Sequence, residues 1–132
     1  MVLVDTNVLV DVVQDDPQWA EWSIGQLRAQ SRIHELAINP VIYAELSLSF
    51  TNFESLDRVL STMELTLLEI PRPALFLAGK AYLQYRRRGG SKAQVLPDFF
   101  IGAHAATQGW ALLTRDAGRF RTYFPTLEVV TP

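Results

Sequence analysis

Short apolar runs and longer amphipathic stretches take turns along the chain. Val2-Leu3-Val4 is a compact apolar run that stops at Asp5 and reads as a buried strand. Helical spacing follows from Asn7 to Gln14, where Asp15-Asp16-Pro17 interrupts it. Pro17 suits the first turn of a second helix. That helix carries Trp19, Trp22, Ile24 and Leu27 on one stripe and fades near Gln30. The spacing of the two tryptophans favours the core, or a partner groove, over a base-stacking platform. Ile33 to Ile38 reads as the second strand, and Asn39-Pro40 as the cap and first residue of the next helix.

From Val41 to Leu48 the chain is apolar on most sides, so this helix is expected to be well buried. Phe53 to Met63 predicts another helix and Leu65 to Ile70 a third strand. Pro71-Arg72-Pro73 turns into a helix that ends in Arg86-Arg87-Arg88 and Gly89-Gly90, a normal helix stop. A loop over Ser91 to Leu96 carries Lys92. Pro97-Asp98 opens an almost wholly apolar helix, closed by Gly109 and expected to be central. Trp110 to Thr114 is the fourth strand. A turn through Gly118, Arg119 and Phe120 leads to a last strand over Leu127 to Val130. Strands alternating with helices in this way predict a three-layer α/β/α domain with a mostly parallel central sheet, occupying residues 1–132 as one unit.

This architecture gives four acids a common address. Asp5 ends the first strand, and Asp116 follows the fourth. Glu45 lies early in the helix after the second strand, and Asp98 opens the central helix. In open parallel sheets, ligands bind beyond the carboxyl ends of the strands. Taken alone, Asp5 reads as a helix cap. Glu45, set among apolar neighbours, needs a partner, because a buried unpaired carboxylate is costly. Two like charges about 4 Å apart repel by roughly 4 kcal/mol at an effective dielectric near 20. Hard divalent cations with oxygen ligands relieve that repulsion. A carboxylate set of this kind suits Mg²⁺ or Mn²⁺ rather than Zn²⁺, and the chemistry implied is phosphodiester hydrolysis. Asp11, Asp15 and Asp16 are read as solvated residues near a helix end.

Composition adds exclusions. Cysteine is absent, so disulfides, zinc–thiolate sites and cysteine nucleophiles drop out. With 14 acids against 12 bases the net charge is −2, which advertises no bulk attraction to nucleic acid. The longest charge-free run, Phe99 to Thr114, falls short of the roughly 18–20 residues of a membrane span. No basic leader precedes the first strand. A cytoplasmic protein without a membrane segment is expected.

Four stretches resemble, in order, the motifs of the PIN domain nucleases. They are Val2-Leu3-Val4-Asp5-Thr6-Asn7, then Asn39-Pro40 with Ala44-Glu45-Leu46, then Pro97-Asp98-Phe99-Phe100-Ile101-Gly102-Ala103-His104-Ala105, and finally Leu112-Leu113-Thr114-Arg115-Asp116 with Arg119-Phe120. Gly102 stands where the family more often has Ala, and Arg119 where many relatives carry a further acid. The chain length is similar to that of the VapC-type toxins of bacterial toxin–antitoxin pairs. The resemblance implies a Mg²⁺-dependent endoribonuclease, with Mn²⁺ as a substitute, cutting structured RNA such as tRNA. It implies Asp5, Asp98 and Asp116 as metal ligands, with Glu45 binding the metal directly or through water. Thr6, Asn7 and Thr114 would orient these groups. A cognate antitoxin and a homodimer are the implied partners.

Other residues enter with less weight. Arg115, Arg119 and Lys92 are candidate RNA contacts. His104, nearly two helical turns beyond Asp98, reads as a core histidine. Three other functions compete. One is a PIN-type nuclease of RNA processing or DNA repair without an antitoxin. Another is a receiver-like domain with Asp5 as phosphoacceptor, disfavoured because no lysine follows Lys92. A catalytically silent binding module is the last, disfavoured by the presence of all four acids.

Overall fold

The computed structural model describes residues 1–132. Five strands form one sheet: β1 (Val2–Val4), β2 (Leu36–Ile38), β3 (Leu65–Leu67), β4 (Ala111–Leu113) and β5 (Val129–Val130). Their spatial order is β3-β2-β1-β4-β5, and every neighbouring pair is parallel. Seven helices accompany them: α1 (Thr6–Val13), α2 (Ala20–Ser31), α3 (Pro40–Leu46), α4 (Phe53–Thr62), α5 (Arg72–Arg87), α6 (Leu96–Gln108) and α7 (Gly118–Tyr123). The predicted three-layer α/β/α class is what forms, with the sheet wholly rather than mostly parallel.

β1 is the centre of this arrangement. Val2, Leu3 and Val4 are fully buried, and Val2 pairs with Leu36 on one side and Ala111 on the other. The chain order along the sheet reverses at β1, since β2 and β3 lie to one side and β4 and β5 to the other. The crevice above such a switch point is the usual ligand site of open parallel sheets. α6 is the other central element. Phe99, Ile101, Ala103, His104 and Ala105 are all fully buried, and the helix packs along α5. Gly109, at φ +70°, closes α6 in the left-handed conformation that glycine tolerates. No helix is long and apolar enough to cross a membrane.

Several element boundaries differ from the sequence reading. α2 starts at Ala20, not Pro17, because the Asp16 side chain first accepts from the amides of Gln18 and Trp19. β2 starts only at Leu36: the amides of Ile33 and His34 still bond to Gln30 at the end of α2, and Ile33 is 72% exposed. α3 is less buried than expected, for only Ile42 and Leu46 are fully buried and Leu48 is 88% exposed beyond it. The expected turn at residues 118–120 is the start of helix α7. Ala117, Phe120 and Phe124 are buried at intervals of three and four, a helical stripe hidden by the glycine at its start.

Asn39 links two of these parts. Its Oδ1 accepts the Ile42 amide at 3.0 Å and so caps α3. Its Nδ2 lies 3.2 Å from His104 Nδ1 on α6. The cap fixes the amide orientation, so Nδ2 donates and His104 Nδ1 accepts, leaving the imidazole neutral. Burial lowers the His104 pKa in the same direction. His104 is therefore the core residue anticipated, although its Nε2 meets no protein acceptor. Asn39→Ala is expected to cost about 1–3 kcal/mol through the lost cap and the unpaired imidazole. Chemical denaturation read by the tryptophans checks this, and a loss below about 0.5 kcal/mol would contradict it.

Candidate active site

β1 delivers Asp5 to the switch-point crevice, where the residue is only 5% exposed. Its Oδ1 accepts the Thr6 amide at 2.8 Å, so Asp5 does cap α1. Its Oδ2 accepts from Thr114 Oγ1 at 2.7 Å, across from the end of β4. Thr114 is held in turn. Its hydroxyl oxygen accepts from Asn7 Nδ2 at 3.3 Å and from the Asp116 amide at 3.2 Å. Asn7 Oδ1 accepts the Arg115 amide at 3.2 Å. Asn7 and Thr114 thus tie the β1–α1 junction to the β4–α7 junction through side chains. The Asp5 carboxylate is the group they orient.

Thr6 has a second role. Its hydroxyl donates to Glu45 Oε1 at 2.6 Å, and this is the partner that Glu45 was expected to need. Glu45 is half-buried on α3. Asp98, in the first turn of α6, is half-buried and pairs with Arg119 of α7, Nη1 to Oδ2, at 2.7 Å. Asp116 is exposed after β4, and its Oδ1 faces the Gly118 amide at 3.4 Å.

Electrostatic coupling links these acids to one another. Burial pushes the Asp5 pKa up to about 7, against the pull of the Thr114 hydrogen bond, and Asp98 and Glu45 repel it further. Burial also raises Glu45, opposed by the Thr6 hydroxyl and reinforced by the charge of Asp98. Asp98 is raised by burial, lowered by its bond to Arg119, and raised again by Asp116. Each acid is perturbed by, or perturbs, another of the set, with Asp98 in the middle. Groups shifted by burial and like charge in a cleft mark a functional site.

The donor set fits a hard divalent cation: carboxylates crowded enough to repel, with no sulfur and no imidazole ligand among them. As placed, no three of the acids converge on one point at ligand distance. One of them, Asp98, has its Oδ2 committed to Arg119 instead.

The structure places the remaining candidates differently. Arg115 turns away from the crevice: its Nε donates to Asp11 Oδ2 at 2.6 Å, and its guanidinium lies 5.2 Å from the centre of the Trp19 ring. Lys92 is exposed, and its amide donates to Tyr85 Oη at 3.2 Å. Asp11 is the clear correction. Read as a solvated helix-end residue, it is 2% exposed and also accepts from Ser23 Oγ at 2.8 Å. A signal was available, because Asp11 lies three residues after the buried Val8 and so on the buried face of α1.

Acids at the strand-end edge of a parallel sheet, with Asp5 leaving β1 and Asp116 following β4, define the class: an α/β domain with carboxylates at its switch point. The PIN domain family model matches residues 2–124, and the chain belongs to that family. This sets aside the receiver-like alternative. A comparison with curated proteins finds no significant match. Among solved structures, the chain is similar to a VapBC2 complex from Rickettsia felis bound to a promoter DNA fragment. The TM-score is 0.76 at 21% identity, covering 100% of this chain and 99% of the other. A toxin–antitoxin complex from Klebsiella pneumoniae gives 0.73 at 22% identity, with coverage of 100% and 98%. VapBC-1 from nontypeable Haemophilus influenzae gives 0.73 at 19% identity, with coverage of 99% and 98%.

Proposed function

We propose that this PIN domain protein is a metal-dependent endoribonuclease and the toxin of a toxin–antitoxin pair. The observation that carries the nuclease reading is the placing of Asp5, Glu45, Asp98 and Asp116 at the strand-end edge beside β1, with Asp5 held by Thr114 and Thr6 and Glu45 held by the Thr6 hydroxyl. Similarity to chains from toxin–antitoxin complexes over nearly the whole length supports the toxin reading. Asp5, Asp98 and Asp116 would hold Mg²⁺ or Mn²⁺. Such an ion supplies Lewis acidity toward the phosphodiester and lowers the pKa of a bound water.

The protein's own groups do the positioning. Thr114 donates to Asp5 Oδ2 and the Thr6 amide to Oδ1, so the Asp5 carboxylate has one orientation. The Thr6 hydroxyl occupies Glu45 Oε1 and leaves Oε2 to accept a hydrogen bond from the attacking water. A carboxylate with a raised pKa accepts a proton more readily, which suits Glu45 to that place. The substrate we propose is structured RNA such as tRNA. The partners are a cognate antitoxin and a second copy of the chain, and the compartment is the cytoplasm.

The direct experiment incubates purified protein with total tRNA, with Mg²⁺, Mn²⁺ or chelator, and maps the new RNA ends. Discrete ends that require the metal support the reading. No cleavage of any RNA with either metal would overturn it. If this chain is a toxin, a small protein encoded by an adjacent gene should form a stable complex with it on co-expression and suppress cleavage. Absence of any complex would point to a nuclease that works without an antitoxin. Metal alone should also stabilise the fold, by about 2.7 kcal/mol at a concentration ~100 times Kd. A thermal scan with millimolar Mg²⁺ or Mn²⁺ reads this, and identical melting curves with and without metal count against the site.

A further inference from the structure

The fold brings Gly102 of α6 and Arg119 of α7 close together. Gly102 lies four residues after Asp98, one turn further along the same face of α6. A Cβ at Gly102 would sit 2.5 Å from the Phe124 ring and 3.0 Å from that of Phe120. Ordinary carbon contacts are near 3.5–4.0 Å, so no side chain fits there while the rings of Phe120 and Phe124 stay in place. Phe120 is the neighbour of Arg119, and Phe124 follows the end of α7. The bare backbone of α6 therefore lets α7 dock closely, and the residue next to that contact pairs with Asp98 at 2.7 Å.

We propose that Arg119 is a tethered counter-ion of the acidic crevice, which holds Asp98 while no divalent cation is bound and competes with such a cation for it, and that Gly102 sets its position. The proposal rests on the reading of Asp98 as a metal ligand. Both side chains are about one-third exposed, so the pair is solvent-screened and contributes little to folding. Its consequence is local. Oδ2 of Asp98 is occupied by a cation that belongs to the chain. A guanidinium presents a fork that matches a carboxylate, and a lysine ammonium at the same place presents only a point charge. Charge rather than shape is what competes with a cation, so lysine should preserve the effect.

The experiment is calorimetric titration of the full-length, metal-free chain with Mn²⁺ alone, backed by melting curves. Arg119→Gln is expected to bind Mn²⁺ about fivefold more tightly than the unmodified protein, the scale of a solvent-screened ion pair. Its metal-induced rise in Tm should be larger, and its metal-free Tm should hardly change. Arg119→Lys should stay within about twofold of the unmodified protein. Gly102→Ala, by pushing α7 off α6, should shift affinity in the same direction as Arg119→Gln. Equal or weaker binding by Arg119→Gln overturns the competition while leaving the metal reading intact. Equal tightening by Arg119→Lys also overturns it, since charge is then not the cause. No binding by the unmodified protein or any variant overturns both the competition and the metal site. Unchanged affinity in Gly102→Ala removes Gly102 from the arrangement.

Discussion

Asp5→Asn is expected to reduce metal-dependent RNA cleavage by at least about a thousandfold, the scale of the several kcal/mol of charge stabilisation that a bound metal supplies. The same substitution is expected to raise the melting temperature of the metal-free protein at neutral pH. Asn keeps an acceptor for the Thr6 amide or the Thr114 hydroxyl but carries no charge. Asp5 is nearly buried, its pKa is pushed up to about 7, and Asp98 and Glu45 repel it. An acid whose folded pKa lies above its unfolded value of 3.8 binds a proton more tightly when folded. Its ionisation therefore opposes folding. The cost is absent below about pH 4, grows as pH rises through the interval up to about 7, and is then constant, at a few kcal/mol. The gain from Asp5→Asn should follow that profile: small at pH 4 and largest above pH 7. Parallel melting curves and cleavage assays across this range check both halves. Full cleavage by the variant removes Asp5 from the site. A variant destabilised equally at every pH removes the electrostatic account of its burial.

Asp11→Ala is expected to be the most destabilising exchange of a single acid, by about 3 kcal/mol, or roughly a 9–15 °C fall in Tm for a domain of this size. Asp11 is 2% exposed and has two donors, Ser23 Oγ at 2.8 Å and Arg115 Nε at 2.6 Å. Removing it strands the fully buried Ser23 hydroxyl and the guanidinium that lies over Trp19. Breaking a buried pair from one side costs more than the pair contributed, because a polar group stays buried without its partner. The effect should reach the crevice. The Arg115 amide donates to Asn7 Oδ1, and Asn7 donates to the Thr114 hydroxyl that orients Asp5. Cleavage per folded molecule should thus fall by about tenfold, a loss of ~1.4 kcal/mol in transition-state stabilisation, even where the variant remains folded. Denaturant unfolding at pH 7 measures the first effect and single-turnover cleavage the second. A change under about 0.5 kcal/mol would show Asp11 to be an ordinary surface acid after all.

The local pattern in the sequence was enough for the strands and for the class of sheet. Val2-Leu3-Val4 and Leu112-Leu113 are apolar without alternation, which is the mark of strands covered on both faces, and each of these residues is fully buried. Asn39-Pro40 announced α3, and Gly109 the end of α6, because caps and left-handed turns depend on a few neighbouring atoms. The four acids were legible as a group because the rule that parallel strands share a carboxyl edge turns sequence positions into a common place. Helix α7 was not, since its stripe of Ala117, Phe120 and Phe124 makes sense only against the α6 surface it covers.

What the sequence determined by itself is therefore the order of elements apart from α7, the parallel sheet and the strand-end edge as the address of Asp5, Glu45, Asp98 and Asp116. The elements follow from short-range periodicity and capping, and the shared edge from the rule for parallel connections. What only the tertiary structure decided is which side chain meets which. Thr6 reaches Glu45 across 39 positions, Thr114 reaches Asp5 across 109, Arg115 meets Asp11 across 104, and Arg119 meets Asp98 across 21. Such pairings depend on distances of a few ångströms set by packing, to which no local pattern is sensitive. They also decide the charge state of the crevice. Whether a carboxylate there is ionised depends on its burial and on the cation or hydroxyl beside it, and both are properties of the assembled fold.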